Sequence, residues 1–523
     1  MNTNKASDIY KIKPIIIKDL RVFLTPILTT LYNRAITEKQ YPDSLKTTKL
    51  IELYKSKDKT LPINYRPISL LPILAKIFDK IINDQLMTHL LNNNIISPTQ
   101  YAFRPNSSTT AALQSVINNI YKHTTKYKPT IAIYVDLSKA YDTISHTKLL
   151  HKLQHEFNFN LDTLEFFKTY FQNRQQSVHT QHAQSDTRTI TDGTPQGSTL
   201  SATIFLLYIN NIINTTKSKI YTYADDTTLI ITADTEQALQ TLAQTELNNL
   251  IQYFHINDLV PNPTKTNYTI FHPRNSTNIS LHINNTTIHP TPHAKLLGVI
   301  IKDDMKHDKT IANIIKKLQP IMKRLKYANK ILPTNIMKQL YYSHVYPHLI
   351  GSITIWGSHQ PNKTYLQPLI RTQKKIIRLI TNQPPQTHSK AIFKKLQILN
   401  LTNLYLLRTM LELHQHIHPN QKPKQTTNRP EHDHYYTATK HIHHHKTRQT
   451  KQNKRYITNS KILQQVRITK RTPTHTTAHL NTIYITLWNE MPKEIREEKR
   501  KKKFKTMLKE YLQTNQDEKE KER

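Results

Sequence analysis

Apolar residues first recur at helical spacing in "LRVFLTPILTTLYNRAI" (20–36), so the first 45 residues read as helical. The stretch "KSKDKTLPINYRPISLLPILAKIFDKIINDQLMTHLL" (55–91) opens as a basic loop and becomes a long amphipathic helix after Pro72. "TIAIYVDL" (130–137) is short, apolar and β-branched, which predicts a buried strand. "SATIFLLYINNII" (201–213) follows a Pro-Gln-Gly turn and predicts a buried helix, and "KIYTYADDTTLIIT" (219–232) reads as strand, turn, strand. A long helix is expected over 236–258, with further strands in "YTIFHP" and "AKLLGVIIKDD". Strands and helices alternate through residues 40–301, an α+β or α/β pattern. From about 310 the pattern turns helical, in "TIANIIKKLQPIMKRLKYANKIL", "NIMKQLYYSHVYPHL" and "LQPLIRTQKKIIRLIT". Residues 415–475 are polar and show little periodicity, and a small apolar segment, "TIYITLWNEMPKEI", precedes a charged helical tail. No internal repeat is visible.

The length of 523 residues exceeds one ordinary domain. The absence of cysteine excludes disulfides and cysteine-ligated zinc. No apolar run approaches the roughly 18 residues of a membrane span, and the N-terminus has no signal-peptide pattern. The net charge of +38 points to a polyanionic partner, nucleic acid above all. Coding bias offers a second explanation for part of it. The chain has only 5 Gly, 2 Trp and no Cys, the residues whose codons most need G. Normal G content at synonymous third positions of the coding sequence would remove that explanation.

The candidate chemistry lies in aspartates. Asp225 and Asp226 sit side by side at the turn of a hairpin, and Asp136 ends a separate buried strand. Alone, an Asp-Asp pair fits a solvated turn. Neighbouring strand residues point to opposite faces, so both carboxylates reach one ion only if the backbone turns there. Three carboxylates at one sheet edge repel one another unless cations lie between them. Hard oxygen ligands favour Mg2+, and two such ions about 4 Å apart can activate a 3′-hydroxyl and stabilise a pyrophosphate leaving group.

"YVDLSKAYD", "GTPQGSTLSATIFLLYIN" and "YADD" occur in this order, each in a fitting strand or helix. With "YPDSLKTTKLIELYK", "NYRPISLLPILAKIFDKII" and "QYAFRPNSSTTAAL" before them and "LVPNPTKTNYTIF" and "KLLGVII" after, the chain resembles reverse transcriptases of non-LTR retrotransposons (LINE-type, jockey-like) over about residues 10–410. The resemblance implies an α+β right-hand polymerase fold: fingers, a palm with an antiparallel sheet and a helical thumb, plus a mostly helical or partly disordered basic C-terminal region. The implied domains are an N-terminal helical extension (1–45), fingers and palm (46–301), thumb and following helices (302–410), a basic His-rich linker (411–475) and a small C-terminal segment with a charged helix (476–523). The implied activity is RNA-directed DNA polymerisation, extending a primer 3′-end with dNTPs on an RNA template through two Mg2+ ions, Mn2+ being the substitute. Expected partners are the RNA template, a DNA primer or target and dNTPs, with no membrane. The endonuclease would be supplied elsewhere, because "KASDIYKIKPIIIKDL" resembles the segment just before the polymerase. A ribonucleoprotein of nucleus and cytoplasm is implied.

Residue by residue, the resemblance makes Asp136 and Asp225 the principal metal ligands, with Asp226 nearer the secondary ion and the Leu137 carbonyl completing a shell. Tyr141 falls where an aromatic closes the pocket beneath the sugar and selects deoxynucleotides; its plainer alternative is a packed aromatic. Asp142 reads as structural. Gln196 and Gly197 resemble the nucleotide-binding turn, and Arg66 the fingers arginine on the triphosphate. Lys57 is the candidate for an accompanying lysine, with Lys55 and Lys59 equally near. Arg104 is assigned to template or structural support, and Lys265 to protonation of the leaving pyrophosphate. Leu297 and Gly298 look like the primer grip. Ala102 and Asn106 stand where the family usually has glycines, and Asp258 where Asn-Gly is common.

"KKLQPIMKRLK" and "RTQKKIIRLI" place basic residues beside apolar ones, a packed face and a phosphate-tracking face or a merely solvated one. The tract "HDHYYTATKHIHHHKT" (432–447) suits an RNA-contacting or disordered segment better than a metal site. "KRKKKFK" (499–505) reads equally as a nuclear address or a basic helix face. A decayed or repurposed copy that binds RNA without catalysis is the alternative function. A group II intron or telomerase-like enzyme is the alternative family, which "NYRPISLL" and "LWNEMP" disfavour.

Overall fold

The computed structural model describes residues 7–56, 58–180, 183–271, 279–358, 364–418 and 487–514. The chain divides into two units. The first takes residues up to 108, 129–268 and 276–290; the second takes 109–128, 269–275 and the chain from 291 onward. The later boundary between the two units lies at 290, and the segment 109–128 goes with the later helices.

The first unit opens with the helices Pro14–Asp19 and Arg21–Thr37, as the N-terminal pattern predicts. β1 (Thr47–Tyr54) and β2 (Tyr65–Leu70) then form an antiparallel hairpin, β2 falling in the stretch from 55 that sequence reading opened as a basic loop. β1 also runs parallel to β5 (Gln175–Val178), which pairs with β6 (Arg188–Thr189), giving the order β2-β1-β5-β6. These strands escaped notice for a physical reason. The outer half of β1 is exposed on both faces and has no apolar alternation. β2 contains Pro67, tolerated because an edge strand has no need of every N–H.

The second sheet carries the order β10-β3-β8-β7, from β3 (Thr130–Val135), β7 (Lys219–Tyr223), β8 (Asp226–Thr232) and β10 (Asn267–Phe271). β3 is buried along its whole length, which is why its sequence is a continuous apolar run rather than an alternation. The helix Thr199–Tyr208 is buried at nearly every position, matching its unbroken apolar sequence. The helix Glu236–Ile256 buries Leu239, Ala243, Leu247, Leu250 and Phe254, a stripe at helical spacing. β4 (Leu137–Ser138) continues from β3 and pairs with β9 (Val260–Pro261); β11 (Leu281–Ile283) and β12 (Thr286–Ile288) form a small hairpin.

In the second unit, β13 (His293–Leu296) and β14 (Val299–Lys302) form a hairpin ahead of helices. Asp308–Ala328, Thr334–Leu340, Gln367–Ile380, Ser389–Leu396 and Leu401–Ile417 follow, and Thr109–Thr124 belongs with them. The start of the segment expected as linker, 411–417, is helical, while the His-rich tract lies outside the described residues. The C-terminal helix Lys501–Thr514 docks on Leu401–Ile417 through buried Phe504, which stacks on His414 and Trp488. "KRKKKFK" is thus largely a basic helix face with one buried anchor. Among the described residues no helix is long and apolar enough to cross a membrane.

Several helices end in the same way without glycine. Lys39, Asn94, Asp258, Asn382 and Gln397 each take a positive φ just after a helix. The following N–H then returns to the carbonyl five residues back, as in Ile95 to Leu90 and Leu259 to Phe254. Asn106 also has positive φ, so two of the departures noted above preserve a glycine-like backbone with residues that tolerate it.

Candidate active site

The register of β3 against β8 pairs Val135 with Thr227, so one further step sets Asp136 beside Asp226. β7 and β8 close in a two-residue turn, Tyr223 pairing with Asp226 across Ala224 and Asp225. Ala224 is held at φ +55°, a costly backbone for alanine. It is fixed by Gln100, whose Oε1 accepts its N–H at 3.3 Å and that of Ala102 at 2.9 Å. The turn carries Asp225 out of the sheet alternation.

The electrostatics match this placement. Desolvation first, then the charges of Asp225 and Asp136, push the Asp226 carboxyl up to about 6. Asp225 is also raised, mainly by desolvation and further by Asp136, while Arg66 and Lys55 oppose the rise. Lys57 lies outside the described residues. Lys55 continues the ladder through its N–H to Asn64 O at 2.8 Å, and among the described residues it is a lysine whose charge bears on Asp225. Arg66 stands on β2 opposite Leu53.

Lys265 reaches Asp136 from the turn after β9, Nζ to Oδ2 at 3.0 Å. That turn is tied to the same strand end, since Asn262 N–H donates to Asp136 O at 2.9 Å. Leu137 pairs with Pro261, which has no N–H to give its carbonyl. Three carboxylates and a carbonyl are the hard oxygen donors that a divalent cation of the Mg2+ type prefers. Among the described residues no three His, Cys, Asp or Glu side chains stand close enough together to hold a metal ion as they are. The donor chemistry fits a divalent ion whose shell is shared with substrate or water.

Tyr141 stacks on Phe205 at 4.6 Å between ring centroids. Its hydroxyl is pushed well above the usual phenol range by burial and then by the Asp225 charge, which places it beside the carboxylates. Gln196 and Gly197 form a turn packed on β2: Ser69 N–H donates to Gln196 O at 2.9 Å. Gly197, at φ +138°, passes so near that an added Cβ would lie 2.8 Å from Ser69 O. Gln196 Nε2 donates to Asp142 Oδ1 at 2.9 Å, a contact between residues 54 apart that sequence reading missed.

Arg104 turns inward. Its Nη1 donates to Ser97 O and Gln100 O, and burial depresses its pKa. Of its two expected roles, structural support is the one with visible partners. Leu297 and Gly298 occupy the two central positions of the β13–β14 turn in the second unit, both at positive φ. Leucine tolerates that backbone poorly, so the hairpin imposes it.

Residues 55–301 match the family described as reverse transcriptase (RNA-dependent DNA polymerase). Among curated proteins, the chain is 24% identical over 385 residues to the RNA-directed DNA polymerase from mobile element jockey of Drosophila melanogaster, covering 71% of this chain and 41% of that protein. It is 23% identical over 397 residues to the probable RNA-directed DNA polymerase from transposon BS of the same species, covering 73% and 43%. The chain thus spans about two fifths of the length of these relatives. A solved telomerase from Candida Tropicalis, in complex with a fragment of telomeric RNA, aligns at TM-score 0.38 and 11% identity over 73% of this chain and 65% of its own.

Proposed function

We propose that this chain, which carries a reverse transcriptase domain over residues 55–301, is an RNA-directed DNA polymerase of a non-LTR retrotransposon. It extends a primer 3′-end with dNTPs on an RNA template. The observation that carries the reading is the meeting of Asp136, Asp225 and Asp226 at one sheet edge, where two of the three carboxyls are raised by burial and mutual repulsion. Carboxylates so crowded at neutral pH call for cations.

Asp136, Asp225, Asp226 and the Leu137 carbonyl would hold Mg2+, which when bound supplies charge neutralisation at the attacking hydroxyl and the leaving pyrophosphate. Two ions fit the number of ligands, and Mn2+ can replace them. Arg66 and Lys55 face the triphosphate with fixed positive charge, the guanidinium fork taking two phosphate oxygens. Lys265, released from Asp136, delivers a proton to the departing pyrophosphate. Tyr141 lies under the sugar and excludes a 2′-hydroxyl, its ring braced by Phe205. Leu297 and Gly298 guide the primer through backbone atoms.

The test is primer extension on an RNA template with purified protein, dNTPs and Mg2+. Incorporation that vanishes in the Asp225→Ala, Asp226→Ala double variant is the expected result. Tight RNA binding with no Mg2+-dependent incorporation in the unaltered chain would replace this reading with that of a non-catalytic RNA-binding protein.

A further inference from the structure

The turn Thr194–Ser198 is held from two sides by carboxylates that belong to no metal site. On one side Asp142 Oδ1 accepts Gln196 Nε2 at 2.9 Å. On the other, Ser198, which caps the helix Thr199–Tyr208, donates its hydroxyl to Asp79 Oδ2 at 2.5 Å. Asp79 is fully buried and takes a second donor, the Tyr41 hydroxyl, at 2.8 Å. The backbone between is stitched to the same neighbours: Gly193 N–H to Ile144 O at 2.8 Å and Thr194 N–H to Tyr141 O at 3.0 Å. The segment that carries Tyr141 and the segment that carries Gln196 are therefore one assembly.

A glutamine carboxamide has two ends of nearly equal shape and opposite hydrogen-bonding role. A carboxylate can only accept. Opposite Asp142 the amide end is therefore the only one that bonds, and Oε1 with the remaining N–H is left for whatever occupies the site. We propose that Asp142 is a positioning residue: it fixes the Gln196 carboxamide in a single flip state toward the incoming nucleotide, while Asp79 anchors the far end of the same turn through Ser198. The proposal rests on the polymerase reading above and assigns roles to two acids outside the metal-binding set. Because Asp142 is exposed, its bond is worth what solvent-accessible hydrogen bonds are worth, and its loss should cost about fivefold rather than abolish activity.

The experiment uses the full chain with Asp142→Leu and Asp142→Asn, each alone and combined with Gln196→Ala. Leucine removes the acceptor; asparagine keeps an acceptor but no longer dictates the flip. Expected is a rise of about fivefold in the dNTP KM for Asp142→Leu with kcat within about twofold, and a smaller rise for Asp142→Asn. In the Gln196→Ala background Asp142→Leu should add nothing, since a residue acting through Gln196 has nothing left to act on. Hydrogen exchange of the Thr194–Ser198 amides in the free chain reads the same contact without catalysis. It should quicken in Asp142→Leu while the melting temperature stays put. An unchanged KM with unchanged exchange, or effects of the two substitutions that simply multiply, overturns the proposal. An unaltered chain that incorporates no nucleotide sinks the polymerase reading alone; the exchange comparison still decides whether Asp142 holds the turn.

Discussion

Two regions of this chain handle charge in opposite ways. At the open end of the β3, β7 and β8 strands, three carboxylates are set against one another and partly desolvated, with Arg66, Lys55 and Lys265 around them. Between residues 309 and 411 there are 17 lysines and arginines and no aspartate or glutamate. In the helix Asp308–Ala328 the buried positions are Thr310, Ile311, Ile314, Leu318 and Leu325, while Lys316, Lys317, Lys323, Arg324 and Lys326 are exposed. The first region focuses charge on a point and makes each group matter; the second spreads charge over a surface and makes each group nearly interchangeable. A point suits small multivalent cations at a reacting bond, and a spread suits the repeating phosphates of a nucleic acid.

The sharpest attempt to break this contrast is Asp136→Asn. If the carboxylates act as a point site, primer extension should fall by more than about 1000-fold, with no loss in melting temperature because a repulsion has been relieved. A fall of only a few-fold would make the aspartates as dispensable as surface lysines.

Next comes the fingers hairpin, which tests whether the point site extends to its cationic rim. Arg66→Ala should raise the dNTP KM by about 30-fold and Lys55→Ala by about fivefold, whereas Lys59→Ala should leave it unchanged. Lys59 sits over the Tyr54 ring instead, 5.5 Å from its centroid. Steady-state incorporation against dNTP concentration separates the three. An equal effect of Lys59 would return the hairpin to the class of diffuse charge.

The carboxylates themselves give a third, milder test. Asp226 titrates at about 6 in the folded chain, above the roughly 3.9 of an unfolded aspartate. Between those values the folded form keeps a proton that the unfolded form has lost. Metal-free stability therefore declines as pH rises through this window and stays reduced above it. Mg2+ needs the deprotonated site, so it should raise the melting temperature at pH 7.5 and leave it unchanged at pH 5. Equal stabilisation at both values would mean that the ion binds elsewhere.

How far these features could be read in one dimension depends on what kind of signal each leaves. β3 and the helix Thr199–Tyr208 were legible because complete burial writes an unbroken apolar run, and the turn of "YADD" because two strands flank it. β1 and β2 left no such trace, being half exposed and interrupted by Pro67. Spacing does not choose among Lys55, Lys57 and Lys59, and Lys57 lies outside the described residues. Contacts such as Asp142 to Gln196 and Asp79 to Ser198 join residues 54 and 119 apart and have no periodic signature at all. Helix ends were blurred for another reason. Glycine usually marks them, and here Lys39, Asn94, Asp258, Asn382 and Gln397 take the left-handed position instead.

The gentlest prediction concerns the acid-free region. If its lysines act as a field, no single one should be indispensable. Lys323→Ala should weaken binding of an RNA–DNA duplex almost equally for every sequence. The slope of log affinity against log salt should fall by about 0.9 or less, the share of one phosphate contact. Filter binding between low and moderate salt measures both quantities. Pairing Lys323→Ala with Arg324→Ala should roughly double the change in slope, because separate phosphate contacts release counterions independently. Should one substitution instead abolish binding at all salt concentrations, the helix Asp308–Ala328 would hold a pointed site of its own, and the contrast with the carboxylate edge would dissolve.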